Sequence, residues 1–111
     1  VQVAGHILLK GKGLNGKKIS GNLCVCHSTE DLKSFKDGDI IVAADTSNEM
    51  MPQMRHASAL IVESKDVNCH AAIAGLSLDI PVMIDAENAL TVLRTSAYVE
   101  LDCENGVVSA N

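Results

Sequence analysis

The chain has 111 residues, a length that makes one domain with a single core. Apolar residues are 47% and charged residues 21%, close to globular averages, which excludes an intrinsically disordered chain. The formal net charge of −5 gives no diffuse positive field for nucleic acid or anionic lipid, and Phe35 and Tyr98 alone make no base-stacking platform.

From Val1 to Lys12, Val3, Ile7 and Leu9 alternate imperfectly around Gly5, which predicts a strand. Gly11, Gly13, Asn15 and Gly16 then mark a turn. Ile19 to Cys26 predicts a second strand paired with the first, with Leu23 and Val25 on one face and Cys24 and Cys26 on the other. Ser28-Thr-Glu-Asp has the form of a capping box, so a short helix is expected to about Lys36, stopping at Asp37-Gly38. Asp39 to Ala44 is a nearly unbroken apolar run, the pattern of a strand buried on both faces. Thr46-Ser-Asn-Glu is another capping box, and Pro52 belongs in a first turn, so a helix is expected over Met51–Ala57. Ala59–Val62 is a second buried strand. After the polar loop Glu63 to Val67, Asn68 is the expected N-cap of an Ala-rich helix from Cys69 to about Leu78. Ile80–Ile84 predicts a third buried strand, and Ala89–Arg94 a last helix with Leu90 and Leu93 inward. Tyr98–Asp102 alternates, Glu104-Asn-Gly turns, and Val107-Val-Ser closes a hairpin. The order from Asp39 to Arg94 predicts an α/β domain, parallel in the middle, with antiparallel strands at its flanks.

No apolar run approaches the roughly 18 residues of a membrane span. The opening Val1-Gln-Val, without initiator Met or leader, reads as a single domain, 1–111, taken from a longer chain. Cys24, Cys26, Cys69 and Cys103 lack the paired knuckles of a zinc ribbon. No metal is expected, and the thiols read as reduced and buried in a cytoplasmic protein.

Ligands of α/β sheets sit beyond the carboxyl ends of strands. Ala59–Val62 leads to such a place, and His70 falls in the first turn of the helix that follows. Unpaired amides and the helix dipole there suit an anion, and a neutral imidazole can accept a phosphoryl group. Asn68, Cys69, His70, Ala71 and Ala72 are therefore the candidate anion-binding residues. In the plainer reading His70 fills space, its ring nitrogens bonded to backbone. Cys69 has no basic neighbour in sequence and reads as a packed thiol rather than a reactive one. Met50, Met51 and Met54 suit core packing or a soft subunit contact. Asp45, Glu63 and Asp66 read as solvated loop acids rather than a magnesium site. His6, His27 and His56 show no partner by spacing, and Lys10, Lys12, Lys17 and Lys18 read as a solvated face of an N-terminal hairpin.

The run Asn68-Cys-His-Ala-Ala-Ile-Ala-Gly-Leu-Ser-Leu-Asp-Ile-Pro-Val resembles the phosphohistidine motif of enzymes that use phosphoenolpyruvate (PEP), T-S/C-H-A-A then x-L-x-I-P-V/A. Gly38-Asp-Ile-Ile-Val, Met51-Pro-Gln-Met-Arg-His-Ala-Ser-Ala-Leu-Ile-Val, Glu87-Asn-Ala and Val99-Glu-Leu-Asp fit the same family. The resemblance runs from about Gly38 to Val108. It implies a swivelling β/β/α domain: central parallel strands, an added antiparallel sheet, and helices on one side. In pyruvate phosphate dikinase, PEP synthase and enzyme I of the sugar phosphotransferase system, such a domain carries phosphate on its histidine.

This sequence departs from that pattern around the histidine. The family's Gly-Gly pair reads Lys65-Asp66, its Thr reads Asn68, and the Arg six residues after the histidine is Leu76. Glycines let backbone approach a phosphate, and an Arg neutralises it. Without that Arg, the run Gly75-Leu-Ser-Leu-Asp-Ile-Pro-Val resembles the extra C-terminal domain of bacterial pyruvate kinases. This implies no catalytic residue in the chain; the parent would move phosphate from PEP to ADP with magnesium and potassium at residues elsewhere. The implied roles are stability, subunit contact or regulation. The implied partners are the rest of the parent chain, neighbouring subunits and a small anionic effector over Asn68–Ala72. The alternatives are a working carrier with His70 as nucleophile, and a docking module presenting Met50–Met54. No cofactor, nucleic acid or membrane is expected for the domain itself.

Overall fold

The computed structural model describes residues 6–14, 18–95 and 97–110. Val3, Gly5, Asn15, Gly16 and Lys17 of the expected first strand and turn lie outside these residues, as does the side chain of His6. In chain order come β1 (His6–Lys10), β2 (Lys12–Gly13), β3 (Lys18–Val25), β4 (Ile40–Ala43), α1 (Met51–Met54) and β5 (Ala59–Val62). They are followed by α2 (His70–Ser77), β6 (Val82–Ile84), α3 (Ala89–Val92), β7 (Tyr98–Asp102) and β8 (Val107–Ala110). Short 3₁₀ turns cover Thr29–Ser34 and Asn48–Met50. Among the described residues no helix is long and apolar enough to cross a membrane.

The unbroken apolar runs of β4 and β5 are buried at every position because both sheet faces are covered there. The strand order is β1-β8-β7-β3-β4-β5-β6-β2, with β3 to β6 parallel. Strands β1 and β2 stand at opposite ends of that order, yet only Gly11 separates them in the chain. The sheet therefore folds over itself into two layers. At the seam the Gly11 amide donates to the Gly106 carbonyl at 2.9 Å. Gly106 has φ +69, and a Cβ there would stand 2.3 Å from the Gly11 carbonyl oxygen, so the seam admits only glycine at that position.

Alternation sorts side chains between the two faces. Cys24, Ile41, Leu60, Val62 and Val82 face the layer that holds α1, α2 and both 3₁₀ turns. Leu23, Ile40, Val42, Ile61 and Met83 face the antiparallel layer and meet Leu9, Val99, Leu101 and Val108. This is β/β/α layering, with the cysteines and with Leu23 and Val25 on the faces expected. One helix departs from it. Ala89 and Leu93 of the α3 segment pack on the antiparallel side, because the link from β6 to β7 must cross to that layer.

Other expectations are corrected by competition for partners. β1 pairs with β8 and not with β3, whose edge is taken by a five-residue ladder with β7 running from Lys18–Asp102 to Asn22–Tyr98. Lys10, Lys12 and Lys18 consequently lie on three different strands rather than in one hairpin. Neither capping box forms: Ser28 and Ser47 are N-caps without a side-chain bond, and each segment begins as a 3₁₀ turn. Asp31 reaches past Ser28 to accept the His27 amide at 2.8 Å.

Helix α2 lies directly on β6 and β5 through Gly75, where a Cβ would meet Val82 Cγ2 at 2.1 Å. Gly75→Ala gains about 1 kcal/mol of helix propensity but drives a methyl into a stiff β-branched side chain. The expected net loss is about 1–3 kcal/mol, or roughly 4–8 °C in Tm per kcal/mol, read by thermal denaturation. An unchanged Tm would show that α2 does not depend on this approach.

Candidate functional site

Strands β4 and β5 are parallel and in register, with Ala43 opposite Val62. The segments leaving their carboxyl ends therefore emerge side by side. Beyond β4 comes Asp45-Thr-Ser-Asn; beyond β5, a loop and then α2, with His70 as its first residue and Cys69 as N-cap. The half-buried imidazole of His70 reaches back to the β4 segment. Its Nδ1 lies 2.7 Å from Thr46 Oγ1, and its Nε2 lies 3.0 Å from Asn48 Oδ1. A carboxamide oxygen only accepts, so Nε2 donates to Asn48, while Nδ1 bonds the buried Thr46 hydroxyl, a group able to donate or accept. Both ring nitrogens are thus satisfied, by side chains rather than by backbone. Thr46 and Asn48 read locally as a capping box; their position just past a strand parallel to the one before His70 is the signal that pairs them with it.

A carboxylate completes the cluster. Asp45 Oδ1 accepts the amides of Thr46 at 2.8 Å and Ala71 at 3.0 Å. The second residue of α2 is therefore capped from a neighbouring strand end, where the helix dipole favours negative charge. Asp66 Oδ1 accepts the Asn68 amide at 2.8 Å, and its carbonyl accepts Cys69 at 3.1 Å. That turn uses the Asn68 backbone, so Asn68 is not the N-cap and the helix starts one residue later than expected. Of the five candidates, Asn68 is exposed, Cys69, Ala71 and Ala72 are buried, and only His70 and Ala71 bond to the β4 segment. Lys65 pairs with Glu87 at 3.8 Å, and Leu76, which stands where the motif has Arg, is 48% exposed.

The remaining candidates fall elsewhere. Glu63 Oε2 accepts the Leu90 amide at 2.9 Å, apart from Asp45 and Asp66. Among the described residues no three His, Cys, Asp or Glu side chains are grouped to hold a metal ion. Met50 and Met54 are buried in one cluster with Leu60, which is the core-packing reading, and Met51 is half-buried, so a docking surface over Met50–Met54 would have Met51 as its only accessible methionine. His56 lies at the surface with Asp37 3.9 Å away, a pair its spacing did not reveal.

The family model for the mobile domain of PEP-utilising enzymes matches residues 35–106. The chain belongs to that family. It is 35% identical over 109 residues to a pyruvate kinase of Bacillus licheniformis, and 34% over 107 residues to a probable phosphoenolpyruvate synthase of Archaeoglobus fulgidus. These matches cover 97% and 96% of this chain but only 19% and 14% of those proteins. Among solved structures, Thermococcus kodakaraensis aconitase X in its holo-form aligns with a TM-score of 0.67 at 20% identity, covering 91% of this chain and 95% of that one. An Enzyme I protein aligns with a TM-score of 0.59 at 20% identity, over 72% of this chain and 33% of that one. The structural likenesses show the fold, the β/β/α layering described above.

Thr46→Val removes the hydroxyl bonded to His70 Nδ1 and is expected to destabilise the fold by about 1–2 kcal/mol in urea denaturation; no change would show the bond to be dispensable. The cysteines are free, with Cys24 and Cys26 Sγ 3.8 Å apart. Burial raises the Cys24 thiol, pushes Cys26 up from 9.0 to about 12, and pushes Cys103 to about 11. The stability these thiols confer is complete below about pH 9 and is lost as pH rises through 11 to 12. Iodoacetamide at roughly pH 8 is expected to leave all three unlabelled in folded protein and to label them in guanidinium. Folded Cys26 reacting at the unfolded rate would contradict this.

Proposed function

We propose that this mobile domain is a non-catalytic C-terminal part of a pyruvate kinase, serving stability, subunit contact or regulation. The observation that supports this most is the His70 ring. A phosphoryl acceptor must turn an unprotonated ring nitrogen toward phosphorus. Here Nε2 is turned to Asn48 and Nδ1 to Thr46, so both ring nitrogens are engaged within the chain. The surroundings point the same way: Asp66 brings negative charge to the loop, Lys65 pairs with Glu87, and apolar Leu76 takes the place of a cation. In this reading the parent transfers phosphate from PEP to ADP in the cytoplasm, using magnesium and potassium held by residues outside this chain. Its partners are the rest of that chain and neighbouring subunits. A small anionic effector over Asn68–Ala72 would first have to displace Asp45 from the Ala71 amide.

A carrier role is the second reading, favoured by the place of His70 in the first turn of α2 and by similarity to PEP synthases. It requires the Asn48 amide to turn away and the Thr46 hydroxyl to accept from Nδ1–H. Nε2 would then take the phosphoryl group from PEP as enolpyruvate leaves. Intact mass of the full-length protein after incubation with PEP and magnesium separates the readings, with wild type set against His70→Ala. The expected result is no mass gain in either protein and pyruvate kinase turnover in both. One added phosphoryl group, lost in His70→Ala, would establish the carrier instead.

A further inference from the structure

The first turn of α2 already holds an anion, and it belongs to the chain itself. Asp45 Oδ1 bonds the Ala71 amide at 3.0 Å and the Thr46 amide at 2.8 Å. The next residue, Thr46, holds the His70 ring at 2.7 Å. Two consecutive residues past β4 therefore bind the two features an incoming oxyanion would use, a first-turn amide and the imidazole beside it. Asp45 is exposed and also lines a cavity of about 190 Å3 with Cys26, His27 and Ser47, so its carboxylate stands where an incoming solute would meet it.

We infer that Asp45 sets the specificity of the His70 site: its carboxylate closes the α2 entrance to tetrahedral oxyanions by occupying the Ala71 amide and repelling their charge. The contact is self-inhibitory. It deepens, and rests on, the reading that this domain does not carry phosphate. A like charge within a few ångströms disfavours a second anion, while the helix amides alone would attract one.

Backbone amide NMR of the protein titrated with inorganic phosphate tests this, with wild type set against Asp45→Asn and Asp45→Ala. Asp45→Asn keeps a neutral oxygen on the Ala71 amide, which a phosphate can displace because the carboxylate charge that repels it is gone, so it guards against loss of fold in Asp45→Ala. The Ala71 and Ala72 amides are expected to shift saturably in both variants, with a Kd about tenfold or more below that of wild type. Equal affinity in wild type and variants would overturn the proposal, and so would variants that bind no phosphate at these amides. Phosphorylation of His70 from PEP would instead overturn the non-catalytic reading; the phosphate titration reads reversible binding and is scored separately.

Discussion

Strand β3 lies inside the sheet and has to find hydrogen-bond partners along its whole length; a buried backbone group left without one costs about 1–3 kcal/mol. It does so by changing neighbours half-way. Lys18–Asn22 bond antiparallel to β7, and Leu23–Val25 bond parallel to β4. The other edge of that second half is completed by Ala97, whose carbonyl accepts Leu23 at 2.9 Å, and by Thr95 Oγ1, which accepts Val25 at 3.0 Å. This one strand joins the two layers and sets the direction of β4, β5 and β6. Because those three run the same way, the residues that follow them gather at one end of the sheet. Backbone pairing thus delivers Thr46, Asn48 and His70 to one place, where their side chains bond.

The site itself is built from short polar side chains mounted on strand ends, and its character depends on a few positions. Overall similarity does not separate the two kinds of relative, since identity is 35% to a pyruvate kinase and 34% to a PEP synthase. The local chemistry differs more. Around His70 the chain supplies two carboxylates that accept amides, Asp45 and Asp66, and no guanidinium at the motif position. Negative charge at a helix start is favourable for the fold. The same charge is unfavourable for an incoming anion, so what steadies α2 works against phosphate binding.

Much of this was legible in the sequence. The apolar runs of β4 and β5, the alternation that separates Leu23 and Val25 from Cys24 and Cys26, and the β7–β8 hairpin all follow from periodicity. His70 at the start of a helix was legible too. The pairing of β1 was not, because the alternation of Ile7 and Leu9 says that a strand exists and nothing of which edge it joins. The caps misled for a related reason: a capping hydroxyl must turn its oxygen to the first-turn amides, and a residue far along the chain can turn it elsewhere. Thr46 turns to His70, and the N-terminal turn at Ser47 goes without a side-chain bond. Met50 and Met54 show the limit of composition, since a soft apolar side chain fills a core as readily as it coats a surface.

The pairing of β1 with β8 places His6 opposite Ala110. Adjacent strands lie about 5 Å apart, so a polypeptide that entered the domain at His6 would leave it almost where it came in. A unit with neighbouring entrance and exit can be spliced into a surface turn of another protein with little change to the path of its host. The same closure tolerates the opposite operation: the two ends could be joined and the chain reopened at an exposed loop, leaving the order of strands in space intact. Portability of this kind is a property of the ladder between first and last strands, and owes nothing to histidine chemistry.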